Sequence, residues 1–251
     1  MAMPIADARV HVGRTQTTYP QVRRALRQAG VDTALLCADP ESPQLSDDVA
    51  LPLDLAQPAG PYACYYVGGN PFGGHRRGEI RIPPNLERYA ALYLHCFLSE
   101  SYDFGGAVTT SEWDPGLLRA AVERPDLARL LDRAAELTMP TWLCEHFPLT
   151  LGLVERFPDN VFVIPRMGQM NGGTATVIKA LGDDENVCFD TAGGEVHEAL
   201  VKRLGYQRVL FASGYPYDDP SRCLDMVGAL DLPDEQIAAM MGDNLLRLIQ
   251  R

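Results

Sequence analysis

IADARVHVG, residues 5–13, is a strand-like run that carries charge on one face. Asp7, Arg9 and His11 alternate with small or branched apolar residues, and side chains two positions apart share one face of a strand. We infer that this face points into the interior of the fold. Because burying an unpaired charge costs several kcal/mol even after relaxation, an anion must meet the guanidinium of Arg9.

Seven more segments have the apolar composition of strands, and the segments between them repeat apolar residues at helical spacing. Pro125 interrupts the longest helical segment and predicts a break there. Strands that alternate with helices indicate a parallel sheet, and eight such units indicate closure. The sequence therefore predicts an α/β fold, a (β/α)8 TIM barrel. The predicted strands are residues 5–10, 33–37, 63–67, 105–109, 141–145, 161–165, 187–190 and 209–213; the predicted helices are residues 19–29, 85–98, 117–137, 149–157, 174–181, 196–204, 221–230 and 234–249.

The bulk properties suit one enzyme-sized domain over residues 1–251, since barrels of this type run to about 250 residues. The net charge is −11 and no basic cluster exceeds a pair, so a phosphate backbone would be repelled and nucleic acid is not an expected partner. No stretch approaches the roughly 20 apolar residues of a membrane helix, and we expect a cytoplasmic protein with no membrane partner.

Two segments depart from a plain barrel. Residues 38–62 are rich in Pro, Asp and Ser, which predicts that the second helix is short or missing. Residues 68–84 are rich in Gly and follow the third predicted strand, so they are expected over the active face. Arg76 and Arg77 in this loop are candidate contacts for an anionic substrate, although such a loop is also consistent with simple solvation.

The polar ends of the predicted strands resemble, in chain order, those of the amidohydrolase superfamily, in the branch that includes small-acid decarboxylases and lactone hydrolases. Asp7-Ala8-Arg9-Val10-His11 is similar to its Asp-x-His-x-His motif, with Arg9 in place of the first metal-binding His. Residues 161–170 resemble the strand that ends in a His, here Arg166, and residues 209–216 resemble a tip whose metal-binding Asp is here Gly214. The resemblance implies a barrel in which most metal ligands are replaced.

The tip at residues 140–146, PTWLCEH, resembles the strand that supplies another histidine ligand. The expected register puts Cys144 or Glu145 in that place, and His146 fits only if the strand slips. Cys144 would be a nucleophile if a nearby cation lowered the pKa of its thiol, but a small core residue is the favoured interpretation.

Chemistry in such barrels takes place at the carboxyl ends of the strands, which brings the candidate residues to one mouth. Arg9 and Arg166 are predicted to grip a substrate carboxylate, or alternatively to pair with Glu145 or Asp190 and fill a dead metal site. His11, Glu145 and Asp190 are the predicted acids and bases.

A guanidinium offers only donors and charge, whereas zinc makes hydroxide available at neutral pH. We therefore expect a metal-independent enzyme, without a cofactor, that acts as a lyase, isomerase or cyclase, or hydrolyses an activated ester or lactone. One alternative is a binding protein that lost its chemistry. Another is a zinc or manganese enzyme with ligands drawn from His11, Glu145, His146 and Asp190.

The remaining reactive side chains are assigned no chemistry. The six cysteines are scattered without a Cys-x-x-Cys pair and are expected to be reduced thiols. His95 and His197 fall in predicted helices and are placed on the outer ring. The resemblance allows a homodimer, but no stretch of the sequence indicates an interface.

Overall fold

The computed structural model describes residues 4–13, 17–39, 61–68, 80, 82–95 and 115–250. Eight parallel strands follow one another around the sheet in chain order, each hydrogen-bonded to the next. They are β1 (Ala6–Val12), β2 (Thr33–Ala38), β3 (Tyr62–Gly68), β4 (Ala91–His95), β5 (Thr141–Cys144), β6 (Phe162–Ile164), β7 (Val187–Asp190) and β8 (Val209–Leu210).

Backbone hydrogen bonds between β1 and the end of β8 close the sheet. The amide of Ala8 donates to the carbonyl of Phe211 (2.8 Å), Gly214 donates to Arg9 (2.9 Å), and His11 donates to Tyr215 (2.8 Å). The predicted TIM barrel is confirmed. The polar end of β1 therefore lies directly beside the segment after β8.

Helices alternate with the strands and cover the outside of the barrel. The first begins after Thr18, whose capping box with Gln21 fixes its start, and ends at Gly30 in the left-handed conformation (φ 78°). The break predicted at Pro125 is confirmed. The helices are α1 (Tyr19–Ala29), α2 (Pro115–Val122), α3 (Pro125–Glu136), α4 (Phe147–Arg156), α5 (Thr174–Leu181), α6 (Glu198–Leu204), α7 (Pro220–Gly228), α8 (Asp234–Ala238) and α9 (Asn244–Ile249), and a π-helical turn, Ala239–Asp243, joins the last two.

One predicted helix is wrong. Residues 85–98 were assigned to a helix, but Ala91–His95 is the fourth strand and pairs with both β3 and β5. A short apolar run that is buried on both faces has no period of two, and periodicity alone cannot separate it from a buried helix. The predicted strand 105–109 and the predicted weak second helix within residues 38–62 lie outside the described residues, apart from the ends of β2 and β3.

Five cysteines, Cys37, Cys64, Cys144, Cys188 and Cys223, are buried and free, which confirms the prediction of reduced thiols for the described part of the chain. The sulfurs of Cys37 and Cys64 lie 3.4 Å apart on β2 and β3. Burial raises the pKa of Cys188 to about 11 and also raises the pKa of Cys64. These two thiols therefore remain protonated at neutral pH.

None of the helices in the described ranges combines the length and the apolar character that crossing a membrane requires.

Candidate active site at the carboxyl ends of the strands

Predicted site residues of four strands lie at the opening formed by the carboxyl ends of the strands, called the mouth below. Arg9 and His11 lie near the end of β1, and Asp190 is the last residue of β7. Arg166 and Gly214 follow β6 and β8. Arg76 and Arg77 lie outside the described residues, so their predicted contact with substrate stays a prediction.

Arg9 and Asp190 form a fully buried ion pair across the barrel. Arg9 Nε donates to Asp190 Oδ2 (2.8 Å) and Arg9 Nη2 donates to Oδ1 (3.2 Å), while the two side chains are 3% and 0% exposed. Burial alone would lower the pKa of Arg9, but the charge of Asp190, its hydrogen bond to Arg9 and the neighbouring Tyr93 and Cys144 together more than offset burial and raise this pKa. Arg9 therefore meets an internal anion, one of the two alternatives left open by its sequence.

Asp190 also accepts three hydrogen bonds from other groups. The donors are Trp142 Nε1 (3.2 Å), the Arg166 amide (2.9 Å) and the Ala192 amide (3.2 Å). Protonation of Asp190 would remove the charge that compensates Arg9, which a buried guanidinium does not tolerate. The position of Asp190 thus suits a fixed acceptor, and its predicted role in proton transfer stays a prediction.

The neighbouring ring of His11 is held in one tautomer. Arg9 Nη1 lies 3.2 Å from His11 Nε2, and because a guanidinium can only donate, Nε2 must accept. Nδ1 therefore carries the hydrogen and donates to the carbonyl of Ala38 (3.3 Å). Burial, and next the charge of Arg9, lower the pKa of His11 well below its ordinary value. His11 is a neutral ring at physiological pH.

Asp7 lies on the same inner face of β1 as Arg9, two residues before it and therefore deeper in the barrel. Its oxygens accept from the Ser213 amide (3.0 Å), the Ser213 hydroxyl (2.5 Å) and the Arg9 amide (3.1 Å). Burial outweighs these hydrogen bonds and raises the pKa of Asp7 to about 6. The carboxyl changes its charge near neutral pH.

Arg166 occupies the mouth in a different state. Its backbone is left-handed (φ 53°), as are those of Met167 (φ 53°) and Gly168 (φ 84°). The half-buried guanidinium lies over Gly193, since a Cβ built on that glycine would stand 3.0 Å from Arg166 Nη1. The charge of Arg166 also contributes to lowering the pKa of His11.

No described group pairs with the Arg166 guanidinium. Within residues 4–13, 17–39, 61–68, 80, 82–95 and 115–250 it makes no hydrogen bond and no ion pair, whereas its backbone amide is fixed on Asp190. Arg9 therefore matches the interpretation in which an arginine pairs with an internal anion. Arg166 matches the other interpretation, because the N–H groups of its guanidinium have no acceptor among the described residues.

Gly214 gives the Arg9 guanidinium its space. A Cβ on Gly214 would stand 3.9 Å from both Arg9 Nη1 and Nη2 and 3.1 Å from the Cβ of Ala192. Gly214 also has a left-handed backbone (φ 67°). A longer side chain here would point at the volume that Arg9 occupies, so the arginine and the glycine are complementary.

The structure fixes the register at the end of β5. Trp142 reaches inward to Asp190, and Cys144, two residues on, shares that face. Cys144 therefore holds the inward position predicted for Cys144 or Glu145. The Glu145 side chain is buried just beyond the strand, and His146 is half-buried at the N-terminal cap of α4. His146 is not at the strand position, as the expected register implies.

Three aromatic side chains of the mouth escaped the sequence interpretation. The prediction that His95 lies on an outer helix is wrong, because His95 is the last residue of β4 and is buried. Tyr66 Oη lies 3.2 Å from His95 Nδ1, and the rings of Tyr93 and His95 are 5.3 Å apart. Tyr93 and His95 lie two positions apart on β4, but this relation shows only once residues 91–95 are assigned to a strand, which the uniformly apolar run does not indicate. His197, by contrast, is exposed at the cap of α6, in agreement with its predicted outer position.

A polar cluster beside the mouth ties three loops together. Asp39, directly after β2, accepts hydrogen bonds from Tyr217 Oη (2.8 Å) and Thr17 Oγ1 (3.1 Å). The ring of Tyr217 meets that of His11 edge-on, with centroids 5.3 Å apart. Tyr217 thus covers His11 from the side of β8.

A divalent metal does not fit these side chains. Among the residues that the structure describes, no three His, Cys, Asp or Glu side chains form a group that could hold a metal. His11 Nε2 and both oxygens of Asp190 already accept from Arg9, whose fixed positive charge would repel a cation. Binding a metal there would require this buried guanidinium to leave.

Comparisons with known proteins agree with the barrel fold. A sequence model of the amidohydrolase family matches residues 87–250, more than half of the chain. The protein therefore belongs to the amidohydrolase family. A search of curated proteins found no match.

Solved structures share the fold over their full length. The chain is similar to 2,6-dihydroxybenzoate decarboxylase from Rhizobium, with a TM-score of 0.66, 11% identity and coverage of 99% of each chain. It is similar to 5-carboxyvanillate decarboxylase from Sphingomonas paucimobilis (TM-score 0.62, 13% identity, 99% of each chain). It is also similar to an amidohydrolase from Burkholderia multivorans with bound zinc (TM-score 0.63, 14% identity, 98% of this chain and 99% of the other). At these identities the likeness shows the fold alone.

Proposed function

We propose that this protein is a metal-independent enzyme of the amidohydrolase family that binds a small carboxylate substrate through Arg166 and carries out acid–base chemistry on it. The observation that carries the proposal is the state of Arg166: a half-buried guanidinium in the mouth with no hydrogen bond or ion pair to any described residue. A guanidinium that is partly removed from bulk water is stabilised by an anion. A carboxylate suits it well, because its two oxygens accept two parallel hydrogen bonds from the guanidinium N–H groups.

The backbone around Arg166 supports a role in binding. A left-handed residue other than glycine costs roughly 1–2 kcal/mol, and here Arg166 and Met167 both adopt that conformation. Such strain concentrates at functional sites, because the surrounding structure must hold it in place. The amide of Arg166 is anchored on Asp190, so the ion pair at the floor of the site also fixes the residue that faces the substrate.

The chemistry of the mouth favours reactions that need proton transfer and anion stabilisation. A guanidinium can stabilise a developing oxyanion or enolate, but it cannot supply the hydroxide that a zinc-bound water provides. Decarboxylation, dehydration, isomerisation and ring closure meet this requirement, as does hydrolysis of an activated ester or lactone. The buried carboxyl of Glu145 is a candidate for the proton transfer.

A non-catalytic binding protein is the second candidate function, and the Arg9–Asp190 pair favours it. This pair neutralises half of the positive charge of the mouth internally, as expected of a site that has lost its metal chemistry. Both candidates predict carboxylate binding at Arg166, and only the enzyme predicts turnover of the bound molecule.

Carboxylate binding is tested by calorimetric titration of acetate, succinate and benzoate into the wild type and into Arg166→Gln. Loss of charge-assisted hydrogen bonds worth about 1.5–3 kcal/mol should weaken binding roughly 10- to 100-fold. Arg203→Gln is the matched control, because it removes the same charge from an exposed residue paired with Asp183. Equal affinity of the wild type and Arg166→Gln for every carboxylate bound would overturn the proposal.

Metal dependence is tested on protein purified without a metal-affinity step. We expect zinc, manganese and iron far below one ion per chain, and carboxylate binding that a chelator leaves unchanged. A stoichiometric metal would instead support a rearranged ligand set that includes His11, Glu145, His146 or Asp190. That outcome requires Arg9 to leave its present position, so Arg9→Gln should then raise the metal content.

A further inference from the structure

We infer that His95 and Tyr66 form the proton-exchanging pair of the mouth, while His11 keeps one neutral state. The pair would serve the acid–base step of the function proposed above, and in that respect it rests on that proposal. The inference itself comes from a contrast between two buried histidines that differ in the groups they contact.

His95 stands at the level of the mouth. It is the last residue of β4, and the parallel register sets it beside Gly68 of β3 on one side and Cys144 of β5 on the other. The side chain is buried, and its charge contributes to lowering the pKa of His11. The ring of Tyr93 lies near both histidines, with its centroid 6.2 Å from that of His11 and 5.3 Å from that of His95.

The contact between His95 and Tyr66 survives a change of protonation. A hydroxyl both donates and accepts, and Tyr66 Oη lies 3.2 Å from His95 Nδ1. When the ring is neutral with Nδ1 unprotonated, Tyr66 donates to it. When the ring is an imidazolium, Nδ1–H donates to the Tyr66 oxygen. The ring can gain or lose a proton without losing this hydrogen bond.

His11 has no such freedom. Its Nε2 accepts from Arg9, a group that only donates, so protonation would break this hydrogen bond and set two cations against each other. Its other nitrogen is committed to the carbonyl of Ala38. His11 can orient Arg9 and line the site, but it is the wrong histidine to carry a proton to and from substrate.

The groups around His95 suit proton exchange. Tyr66 on β3 and Tyr93 on β4 itself contact the ring, with centroids 6.0 and 5.3 Å away. Burial raises the pKa of Tyr93 well above its ordinary value, so Tyr93 stays protonated. Cys144 on β5 is the register neighbour, and His11 on β1 is neutral.

A carboxylate held by Arg166 would add negative charge to this space and favour the imidazolium of His95. In a decarboxylation, for example, the bond to the carboxylate carbon breaks, its electron pair stays on the substrate carbon and carbon dioxide leaves. That carbon then takes one proton from the His95 imidazolium, which becomes neutral and recovers a proton from water.

The test begins with an NMR titration of the histidine rings between pH 5 and 9. His95→Gln and His11→Gln identify two of the five histidine signals. We expect the His95 signal to move through a complete titration in the wild type and the His11 signal to stay at the position of a neutral ring. A His95 signal that does not move, or a His11 signal that titrates, would overturn the inference whether or not a substrate is known.

The second arm measures turnover of whichever of acetate, succinate and benzoate binds and is consumed. His95→Gln should lower kcat by about 10²- to 10⁴-fold, the usual contribution of general acid–base catalysis, and should weaken carboxylate binding far less than Arg166→Gln does. His197→Gln, at the exposed cap of α6, is the matched control and should change neither.

The two arms separate the inference from the proposed function. If Arg166→Gln binds carboxylate like the wild type while His95 alone titrates, the substrate assignment fails and the pair stands. If binding depends on Arg166 but His95→Gln retains kcat, the pair fails and the substrate assignment stands.

Discussion

Arg9 and Arg166 carry the same charge into the same mouth, yet their surroundings differ at every level. Arg9 lies on the regular backbone of β1, is 3% exposed and is neutralised by Asp190. Arg166 lies in a left-handed segment after β6, is half-buried, and pairs with no acidic residue in the described ranges. Arg9 is part of the folded core, whereas the guanidinium of Arg166 has no partner among the described residues.

The difference follows from solvation. A guanidinium sealed inside the barrel has to be neutralised by the protein itself, because no water reaches it. A half-exposed guanidinium keeps part of its hydration and can exchange that water for a carboxylate. Burial therefore decides which arginine stabilises the fold and which one is left for binding, and the following substitutions test this division.

The largest effect is expected from Asp190→Asn, which leaves the buried charge of Arg9 uncompensated. Breaking a buried pair from one side costs about 3–5 kcal/mol, so the free energy of unfolding measured in urea should fall by that amount. Adding Arg9→Met should recover much of the loss, since the charge is then absent. A loss as small as that of an exposed bridge such as Arg203–Asp183 would show that the pair does not compensate Arg9.

The pH dependence of the free energy of unfolding tests the protonation of the buried carboxyl of Asp7. Its pKa is raised from 3.8 to about 6 by burial, so the folded state holds the proton more tightly than the unfolded chain. This contribution to stability is complete below pH 4 and is lost as the pH rises through 6, by about 3 kcal/mol. The difference in unfolding free energy between the wild type and Asp7→Asn should fall by that amount between pH 4 and 7.

Asp183 provides the control of opposite sign. Arg203 lowers the pKa of this exposed carboxylate, so its contribution is present at neutral pH and is lost only as the pH falls. If Asp183→Asn reproduced the pH profile of Asp7→Asn, the assignment of the profile to the buried carboxyl would be wrong.

Arg166→Gly should stabilise the protein while abolishing carboxylate binding. Glycine adopts the left-handed backbone without the penalty of roughly 1 kcal/mol or more that a side chain incurs, so the unfolding midpoint in urea should rise. Thr138→Gly is the matched control for Arg166→Gly, because the exposed Thr138 also has a left-handed backbone (φ 50°) and lies outside the mouth, after α3. It should gain stability in the same way and bind carboxylate like the wild type. A destabilised Arg166→Gly would mean that the guanidinium contributes to the fold.

Tyr217→Phe is expected to have the smallest effect. It removes one hydrogen bond to Asp39 at the rim, which contributes about 0.5–1.5 kcal/mol to the free energy of unfolding. Tyr215→Phe is the control, because no side-chain hydrogen bond of Tyr215 is seen in the described residues. A loss of several kcal/mol on Tyr217→Phe would place the rim in the core of the fold rather than at its edge.

The sequence predicted secondary structure best where a single local signal, such as strand alternation or a proline, was clear. The charged alternation of Asp7, Arg9 and His11 placed all three on the inner face of β1, and Pro125 located a real break between helices. It failed at Ala91–His95, because a strand buried on both faces has no alternation to distinguish it from a helix. That single error removed His95 from the candidate site.

The sequence by itself determined a closed parallel barrel and two arginines at its mouth, because strand periodicity, strand count and residue type are local properties. Only the tertiary structure decided that Asp190, rather than Glu145, neutralises Arg9, that the guanidinium of Arg166 pairs with no described residue, and that His95 contacts Tyr66 at the end of a barrel strand. These outcomes depend on distances between residues up to 181 positions apart in the chain. Closure of the barrel sets those distances, and no local pattern encodes them.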